Sequence, residues 1–429
     1  MKNVFLILLT TLIISCNSEE VSFKEGRWEG LINTGITNLN LILDYDGNDA
    51  YLSIAEQGII KLKVSDLTIN NKIIKFSINV GQTLINFEGN RNLSSEDNKD
   101  KINGKFFQNG QIKDFSLSYI GDIPFEKPFD ILKPSGDDKI LYLNKDNIKL
   151  SARHRIPYKD SNKWAALIVA GSGPTDGDGN SKILNGDNNS LLRLSNALCD
   201  FGIPSIRIDK RGTGFSSDSI IKEEDQDFSV LIDDVKDWLY KLKEIYPNRK
   251  IVVMGHSQGS LVSMVASNAI GCDAFVSISA TGFTIDETLK KQLNIYNKEF
   301  RDKSNFILDE LKKGNLVNQV PKTLYTFFRP SVQPFLISYM KYDPIDVINK
   351  SKYPILIIQG AKDSQTSVED ANMLYNNCTN CDLTIIENMN HLLRNVDNLI
   401  EDKMTYNEDR LPISKELIEN IIDFLTKIN

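Results

Sequence analysis

Two regions of the chain have different hydrophobic periods. Between residues 25 and 125, apolar and polar residues alternate in segments such as "LNLILDY", "IIKFSINV" and "DFSLSY", which are separated by Asn, Gly and Asp. Alternation with a period of two indicates antiparallel strands with one buried and one solvated face. The pattern predicts a small all-β domain over 25–125, a meander, sandwich or barrel of about six to eight strands.

From about residue 135 the pattern changes to strands that alternate with helices. Continuous apolar runs such as "WAALIVA", "KIVVMG" and "PILIIQ" are typical of strands covered on both faces. Their alternation with helix-period segments predicts an α/β fold, a doubly wound and mostly parallel sheet, over 126–429. The mostly helical stretch of about 282–351 is predicted to form a cap. Two prolines in "PFEKP" mark the boundary near residue 125.

The chain begins with a lysine, an apolar run and a cysteine, "MKNVFLILLTTLIISC". The run is too short to cross a bilayer and suits the h-region of a signal peptide. Because "IISC" resembles the bacterial lipobox, we expect a lipoprotein signal peptide over 1–15, a lipidated Cys16, and a linker over 16–24. Ordinary signal cleavage beside a stray cysteine is the alternative. A lipid on Cys16 predicts attachment to a membrane of the bacterial cell envelope, and Asn17 favours the outer membrane by resemblance to other lipoproteins.

The composition argues against a nucleic-acid partner. The net charge is −7 and the basic residues are scattered, so nucleic-acid binding is not expected. A membrane is expected as a partner only through the lipid anchor.

Cysteines and aspartates give no support for a metal or another cofactor. Cys378 and Cys381 form "CTNC", but a zinc site needs four ligands and no second pair exists, so a disulfide or two free thiols are expected. The segment "DGDGN" imitates the start of a calcium loop, but its sixth position is Ser181 rather than glycine.

The segment "GHSQGS" contains the pattern G-x-S-x-G, in which Ser257 lies between Gly255 and Gly259 directly after a predicted strand. This pattern is typical of a nucleophile elbow, a sharp turn from strand to helix that exposes the serine hydroxyl. A serine hydroxyl becomes nucleophilic only with a base that is oriented by an acid.

The chain has three histidines to supply the base. His256 adjoins the serine, and neighbouring side chains on a sharp turn diverge. His154 precedes the first long buried strand, whereas His391 follows the last predicted strand, where the base is expected. Asp363 follows the strand before that one and is predicted to be the acid, a helix N-cap being the alternative. The order Ser257, Asp363, His391 is that of α/β-hydrolases.

Two backbone N–H groups are expected to stabilise the oxyanion. One is predicted to belong to Gln258, directly after the serine. The other is assigned to Ser172 in the loop "AGSGPTDGDGN", whose glycines allow close approach to a substrate. A glycine-rich turn without a catalytic role is the alternative for this loop.

These motifs resemble the α/β-hydrolase superfamily, in particular serine aminopeptidase-like hydrolases and EstD-type bacterial esterases that carry a β-rich N-terminal domain. The resemblance covers roughly 135–429 and rests on "AGSGPTDGDG", "RIDKRGTGFSS", "GHSQGS", "QGAKDSQTS" and "NMNHLL". It implies the same triad and the same oxyanion donors. Two positions depart from the family pattern: Ala170 replaces its usual histidine, which is expected to loosen the loop, and Gly177 replaces its arginine, which removes an ordering charge.

The sequence therefore predicts a serine esterase that acts on a small-molecule ester, with an acyl-enzyme on Ser257; the resemblance implies short acyl chains. Two alternatives stay open. One is a peptidase or amidase that uses the same triad, with the cap carboxylates Glu299, Asp302, Asp309 and Glu310 as candidates for binding a peptide amine. The other is a surface lipoprotein that binds a glycan or a partner through its β domain and carries a vestigial hydrolase.

Overall fold

The computed structural model describes residues 23–33, 38–54, 59–70, 72–80, 83–93, 100–108, 110–121, 136–145, 148–182, 186–220, 222–406 and 411–428. The predicted signal peptide and Cys16 lie outside these residues. The chain divides into two compact units, 1–125 and 126–429, called here the β unit and the hydrolase unit. Within the described ranges, no helix is both long and apolar enough to cross a membrane.

The β unit is one antiparallel sheet. Its strands are β1 (Gly26–Asn33), β2 (Asn38–Tyr45), β3 (Ala50–Ile54), β4 (Ile59–Lys63), β5 (Ser65–Ile69), β6 (Ile73–Val80), β7 (Thr83–Leu93), β8 (Asp100–Gln108) and β9 (Gln111–Gly121). They follow the order β4-β3-β2-β1-β9-β8-β7-β6-β5. Since β4 and β5 form opposite edges but are separated only by Val64, the sheet curls round until its edges meet.

The all-β prediction is confirmed, but the predicted strand count is too low, because nine strands lie in the described ranges. Strands β4 and β5 have five residues each and lie next to each other in the chain, so they read as one interrupted segment. Inward-facing side chains fill the interior, among them Trp28, Leu41 and Phe76, which are at most 2% exposed. The period-two alternation therefore supplies the core.

The hydrolase unit is built on an eight-stranded sheet. Its strands are β10 (Gly136–Lys145), β11 (Ile148–Pro157), β12 (Trp164–Val169), β13 (Ser205–Ile208), β14 (Lys250–His256), β15 (Ala274–Ile278), β16 (Ile355–Gly360) and β17 (Cys381–Ile386). The order is β10-β11-β13-β12-β14-β15-β16-β17. Strands β12 to β17 are parallel, while β10 and β11 form an antiparallel hairpin at one edge. The mostly parallel sheet is confirmed.

Helices cover both faces of this sheet, and two separate apolar clusters flank it. The helices are α1 (Ser190–Asp200), α2 (Phe228–Ile245), α3 (Gln258–Ile270), α4 (Ile285–Gln292), α5 (Lys298–Lys312), α6 (Tyr325–Phe328), α7 (Gln333–Tyr339), α8 (Pro344–Asn349), α9 (Val368–Asn376), α10 (Leu399–Thr405) and α11 (Lys415–Lys427). Helices α4 to α8 lie between β15 and β16, as expected for the cap.

The cap has its own apolar core and also packs on the hydrolase sheet's helices. Ile307, Leu311 and Phe328 are at most 2% exposed in that core. Tyr339 of α7 stacks on Phe228 of α2, with ring centroids 4.1 Å apart. A stacked aromatic pair adds to the stability gained from burial alone, so this contact fixes α7 against the sheet's covering layer.

Candidate active site

Ser257 lies on the turn between β14 and α3, with φ 54° and ψ −127°. A positive φ is unfavourable for a residue with a side chain, and such strain is concentrated at functional turns. The Ser257 N–H donates to Ile278 O at 2.9 Å, so the turn is tied to the end of β15. The structure therefore places the serine on a sharp, held elbow at the carboxyl edge of the sheet.

The two flanking glycines are required by close contacts. A Cβ on Gly255 would lie 2.4 Å from Ser260 Cα, and a Cβ on Gly259 would lie 2.4 Å from Ala170 O. Real Cβ atoms do not approach other atoms so closely, so any larger residue would push α3 away from β14 or from β12. The glycines allow the helix to start directly under the serine.

Asp363 and His391 form a buried pair beyond the ends of β16 and β17. Asp363 Oδ2 lies 2.8 Å from His391 Nδ1, and their side chains are 0% and 5% exposed. The other oxygen, Oδ1, accepts from the N–H groups of Gln365 and Thr366 at 2.8 and 2.9 Å. Burial raises the pKa of Asp363, but the charge and hydrogen bond of His391, together with these N–H groups, outweigh it and lower the pKa to about 2. Asp363 is therefore ionised at neutral pH.

His256 supports the loop that carries His391. Its Nε2 lies 2.8 Å from the His391 carbonyl oxygen, which can only accept, so His256 donates from Nε2. Burial, as the largest cause, lowers the pKa of His256 to about 3, and the imidazole is neutral at physiological pH. The sequence analysis excluded His256 as the base and assigned it no role; only the structure reveals this contact, since it joins residues far apart in the chain.

Asn390 fixes the same loop from within. Its Nδ2 donates to Asp402 Oδ1 at 2.9 Å and to Thr405 Oγ1 at 2.8 Å, both on α10. Its Oδ1 accepts from the N–H groups of Leu392 and Arg394 at 3.1 and 3.0 Å. All the bonding capacity of this fully buried amide is thus used to hold the backbone on either side of His391.

The loop after β12 lies against Ser257. A Cβ on Gly171 would lie 3.0 Å from Ser257 Cβ and 3.3 Å from His256 Nδ1. Ser172, the predicted second oxyanion donor, follows directly. Gln258, the predicted first donor, opens α3, and the first N–H groups of a helix have no acceptor within it. Both predicted donors therefore lie near Ser257: Gln258 follows it in the chain, and Ser172 follows Gly171, which lies against it.

Arg153 places a charge beside Gly177, the position where the family pattern has an arginine. A Cβ on Gly177 would lie 3.1 Å from Arg153 Nη1, so a guanidinium from β11 fills the space beside this position. Arg153 pairs with Asp209, with Asp178 at 3.0 Å and with Asp176 at 3.5 Å. Arg153 thus brings a charge to the loop next to the position where glycine replaces the family's arginine.

The aspartates that imitate a calcium loop are bound to protein groups. Asp178 pairs with Arg207 at 2.9 Å as well as with Arg153. Asp176 Oδ1 accepts from the N–H groups of Asp178 and Asn180 at 2.9 and 3.0 Å. Across the part of the chain that the structure describes, no group of three or more His, Cys, Asp or Glu is placed to hold a metal ion.

Two other candidates from the sequence lie outside the triad. His154 Nε2 is 2.7 Å from the Tyr246 hydroxyl, and burial, the largest cause, lowers the pKa of His154 to about 4. It lies on β11, the strand next to the edge strand β10, and pairs in register with Lys139 and Ile206 rather than lying at the carboxyl edge with Ser257. Cys378 and Cys381 form a disulfide that joins the segment after α9 to the start of β17.

The sequence is similar to those of known hydrolases. A family model described as "Serine aminopeptidase, S33" matches residues 186–303, a stretch that includes Ser257. Esterase EstD of Thermotoga maritima is 23% identical over 310 residues, which are 70% of this chain and 68% of the relative.

Solved esterases are among the similar structures. Est1E of Butyrivibrio proteoclasticus, solved with ferulic acid bound, is 19% identical, with a TM-score of 0.47 over 67% of this chain and 98% of that one. Esterase Pf2001 of Pyrococcus furiosus is 18% identical, with a TM-score of 0.42 over 68% and 93%. From the sheet order, the elbow and the sequence matches, the hydrolase unit has the α/β-hydrolase fold and resembles serine aminopeptidase-like hydrolases and EstD-type esterases, as the sequence predicts.

Proposed function

We propose that this protein is a carboxylic ester hydrolase that forms an acyl-enzyme on Ser257. The observation that carries the proposal is the buried pair of Asp363 and His391, joined at 2.8 Å on the same sheet edge as the strained serine elbow. A serine, an imidazole and a carboxylate in this arrangement are the parts of acyl-transfer chemistry. The esterase named among the sequence relatives supports an ester rather than another acyl compound as substrate.

The proposed reaction follows from which atoms are engaged. Asp363 accepts from His391 Nδ1, which leaves His391 Nε2 with the lone pair that can take a proton. Nε2 takes the Ser257 hydroxyl proton while Oγ bonds to the ester carbonyl carbon, and the carbonyl oxygen becomes an oxyanion. The N–H groups of Gln258 and Ser172 stabilise that charge. The intermediate collapses, the C–O bond to the alcohol breaks, and His391 gives its proton to the leaving alcohol.

Deacylation repeats the sequence with water. His391 Nε2 takes a proton from a water molecule, the hydroxide bonds to the acyl carbon, and the second tetrahedral intermediate expels Ser257. The proton returns to the serine Oγ, and the carboxylic acid product leaves. No group outside the triad and the oxyanion donors is needed for the balance of atoms and charge.

A small cavity beside the nucleophile supports short acyl chains. Its volume is about 10 Å³, no more than a single water occupies. Apart from Ser257, Ser260 and Thr281, its lining is apolar: Leu261, Met264, Ala280, Pro344 and Leu374. The methyl of an acetyl group needs only a small enlargement of this cavity. Each further methylene of a longer acyl chain requires the packed side chains of the lining to move further apart.

The carboxylates considered for an aminopeptidase are engaged on the outside of the cap. Glu299 pairs with Lys303 at 2.6 Å, Asp309 with Lys290 at 2.7 Å, and Glu310 with Lys313 at 2.7 Å. Three of the four candidates thus already have a lysine partner. A site for a peptide amine needs a carboxylate that is not committed elsewhere, so these contacts favour the ester over the peptide.

The proposal is tested with the chain from residue 17 onward. We expect turnover of p-nitrophenyl acetate, slower turnover of the butyrate ester, and much slower cleavage of amino-acid p-nitroanilides. Ser257→Ala is expected to lower kcat/KM for the acetate at least about a thousandfold. Ser217→Ala, a serine on the "RGTGFSS" loop, serves as the control and is expected to keep parental activity. Preferred cleavage of the anilides would replace the esterase by an amidase, and equal rates in Ser257→Ala and the parent would contradict the nucleophile.

We propose further that the protein is a lipoprotein of the bacterial cell envelope, anchored through Cys16 and placed at the outer membrane. The support is the sequence "IISC" after a short apolar run. Two lipid chains bury enough methylenes for stable anchoring, and one chain does not. In a bacterial host, the parent is expected in the membrane fraction and Cys16→Ala in the soluble fraction. Equal partition of the two would contradict lipidation.

A further inference from the structure

Lys210 contacts the loop that carries the second oxyanion donor. It lies two residues beyond the end of β13, in the segment "DKRG". Its Nζ donates to the backbone carbonyl oxygens of Gly171 and Gly173. These two carbonyls flank Ser172, the residue whose N–H is assigned to the oxyanion. One ammonium therefore holds the loop on both sides of the donor.

Peptide geometry links this contact to the direction of the donor. The described peptide bonds are all trans. In a trans peptide the C=O of one residue and the N–H of the next lie in one plane and point in opposite directions. When Lys210 holds the Gly171 oxygen, it therefore fixes the direction of the Ser172 N–H. Without such a contact the segment would be free to turn, since Gly173 has φ +73° and glycine tolerates many conformations.

The position of the ammonium is costly. Lys210 is half-buried, and burial lowers the pKa of Lys210 to about 7. Among the described residues, the ammonium contacts the two loop carbonyls and no carboxylate lies within ion-pair distance of it. Two carbonyls offset less of the desolvation free energy of a buried charge than a carboxylate in a buried ion pair does. A charge kept in such a place points to a functional role rather than to stability.

The nearby carboxylates are engaged by other groups. Asp209 and Asp234 line the same cavity of about 30 Å³ as Lys210. Asp209 is held by Arg153 and by the Gly177 N–H, the latter at 2.8 Å. Asp234 forms a two-point pair with Arg211, with both distances 2.6 Å. The Lys210 ammonium is thus left to serve the loop carbonyls.

Ala170 makes this role more important. It lines the same cavity and has no polar side-chain atom to hold the loop, where a histidine was expected from the family pattern. The loosening expected there is countered by Lys210, which comes from the segment after β13. We propose that Lys210 is a positioning residue of the oxyanion hole, which orients the Ser172 N–H through the carbonyls of Gly171 and Gly173; this inference rests on the proposed esterase function.

The test compares Lys210→Met with Lys210→Gln. Methionine has nearly the same length but no donor, while glutamine keeps an N–H donor without the charge. We expect kcat for p-nitrophenyl acetate to fall about 100-fold in Lys210→Met, a loss similar to that of an oxyanion donor, and about tenfold in Lys210→Gln, with KM changed less than threefold in both. The affinity for trifluoroacetone, which adds to the serine hydroxyl and forms an oxyanion, is expected to fall in parallel with kcat. Lys236→Met on α2 is the matched control and is expected to behave as the parent.

The outcomes are distinct. Folded variants that keep kcat and trifluoroacetone affinity within threefold of the parent would overturn the positioning role. Loss of cooperative thermal unfolding in both variants would also overturn it, because Lys210 would then serve stability. A rise in KM with unchanged kcat would assign Lys210 to substrate binding instead. If the parent itself neither turns over esters nor binds trifluoroacetone, the proposed function fails, whatever the variants do.

Discussion

Both units bury arginine–aspartate pairs, but the pairs hold different parts of the structure. In the β unit, Arg27 lies opposite Asp44 in the register of β1 and β2, and two hydrogen bonds of 2.8 and 3.1 Å join them. Arg91 of β7 and Asp100 of β8 form a similar pair, with both side chains 1% exposed. Each pair joins neighbouring strands, and Asp100 also lies 3.6 Å from Lys24, just before β1.

In the hydrolase unit the buried charges connect loops. Arg153 joins Asp209 of the segment after β13 to Asp176 and Asp178 of the loop after β12. Asp209 in turn accepts from the Ser151 hydroxyl at 2.9 Å. The loops held in this way are those that adjoin Ser257 at the carboxyl edge of the sheet. A broken pair should therefore cost only stability in the β unit, but both stability and turnover in the hydrolase unit.

The largest effect is expected at the triad itself. Asp363→Asn keeps the shape but removes the charge and favours the wrong tautomer of His391, so kcat should fall roughly 10⁴-fold. Thermal unfolding should change little in comparison. Activity of this variant within tenfold of the parent would contradict the assignment of Asp363 as the acid. Asp382→Asn, an exposed aspartate that pairs with Lys427 at 2.9 Å, is the control.

The next largest effect is expected for Arg153→Met. Its removal leaves Asp176, Asp178 and Asp209 facing one another, which should lower the free energy of unfolding by about 3–5 kcal/mol. Displacement of the loop after β12, which carries Ser172, should also lower kcat about 10- to 100-fold. Small misplacements near the reacting atoms have large effects on rate.

Arg155→Met gives the matched control for that prediction. Arg155 lies on the same strand but pairs with Asp138 at 2.7 Å, and it is linked to Asp178 of the loop after β12 indirectly, through Asp138 and Arg207. Stability should fall in this variant while kcat stays near the parental value. If the two variants lose kcat equally, the loop-holding role of Arg153 is wrong.

Arg91→Met sharpens the comparison from the side of the β unit. Asp100 would be left with Lys24, a lysine exposed to solvent and 3.6 Å away, so this unit should lose about 3–5 kcal/mol of stability, and Arg91→Met/Asp100→Leu should recover most of the loss. Ester turnover should not change in either variant. Urea unfolding followed by the fluorescence of Trp28, which lies in the β-unit core, measures the first effect. A matching loss of kcat would show that the units do not differ in this way.

The smallest effect is expected for the disulfide. Cys378 and Cys381 close a loop of only a few residues. The chain-entropy model gives such a loop about 2 kcal/mol at most. Cys378→Ser/Cys381→Ser should therefore unfold slightly earlier and keep full turnover, as measured by a melting curve and an initial rate. A loss of activity would mean that the start of β17 depends on the bond.

Much of this structure could be predicted from local patterns. The period-two segments and the continuous apolar runs indicated the two units, and residues directly after predicted strands indicated Ser257, Asp363 and His391. These features depend on short stretches of sequence. The curled sheet could not be predicted in the same way, since the meeting of β4 with its opposite edge depends on pairings across the whole unit.

The contacts that hold the site were also hidden from the sequence. Arg153 directly precedes His154 in the chain, and its contacts with Asp176 and Asp178 span more than twenty residues. Lys210 and His256 act on backbone carbonyls, which carry no sequence signal of their own. Local patterns can therefore indicate the side chains of the proposed triad, but not the groups that orient them.

The most direct test of the central claim is to trap the acyl group on the protein. The chain from residue 17 onward is mixed with p-nitrophenyl acetate, quenched in acid within milliseconds, digested and analysed by mass spectrometry. We expect an acetyl group on the hydroxyl of Ser257 in the parent, a longer-lived one in His391→Ala after slow loading, and none in Ser257→Ala. Burst release of p-nitrophenol with the acetyl group on another residue, or turnover with no acetylated peptide and no burst, would contradict it.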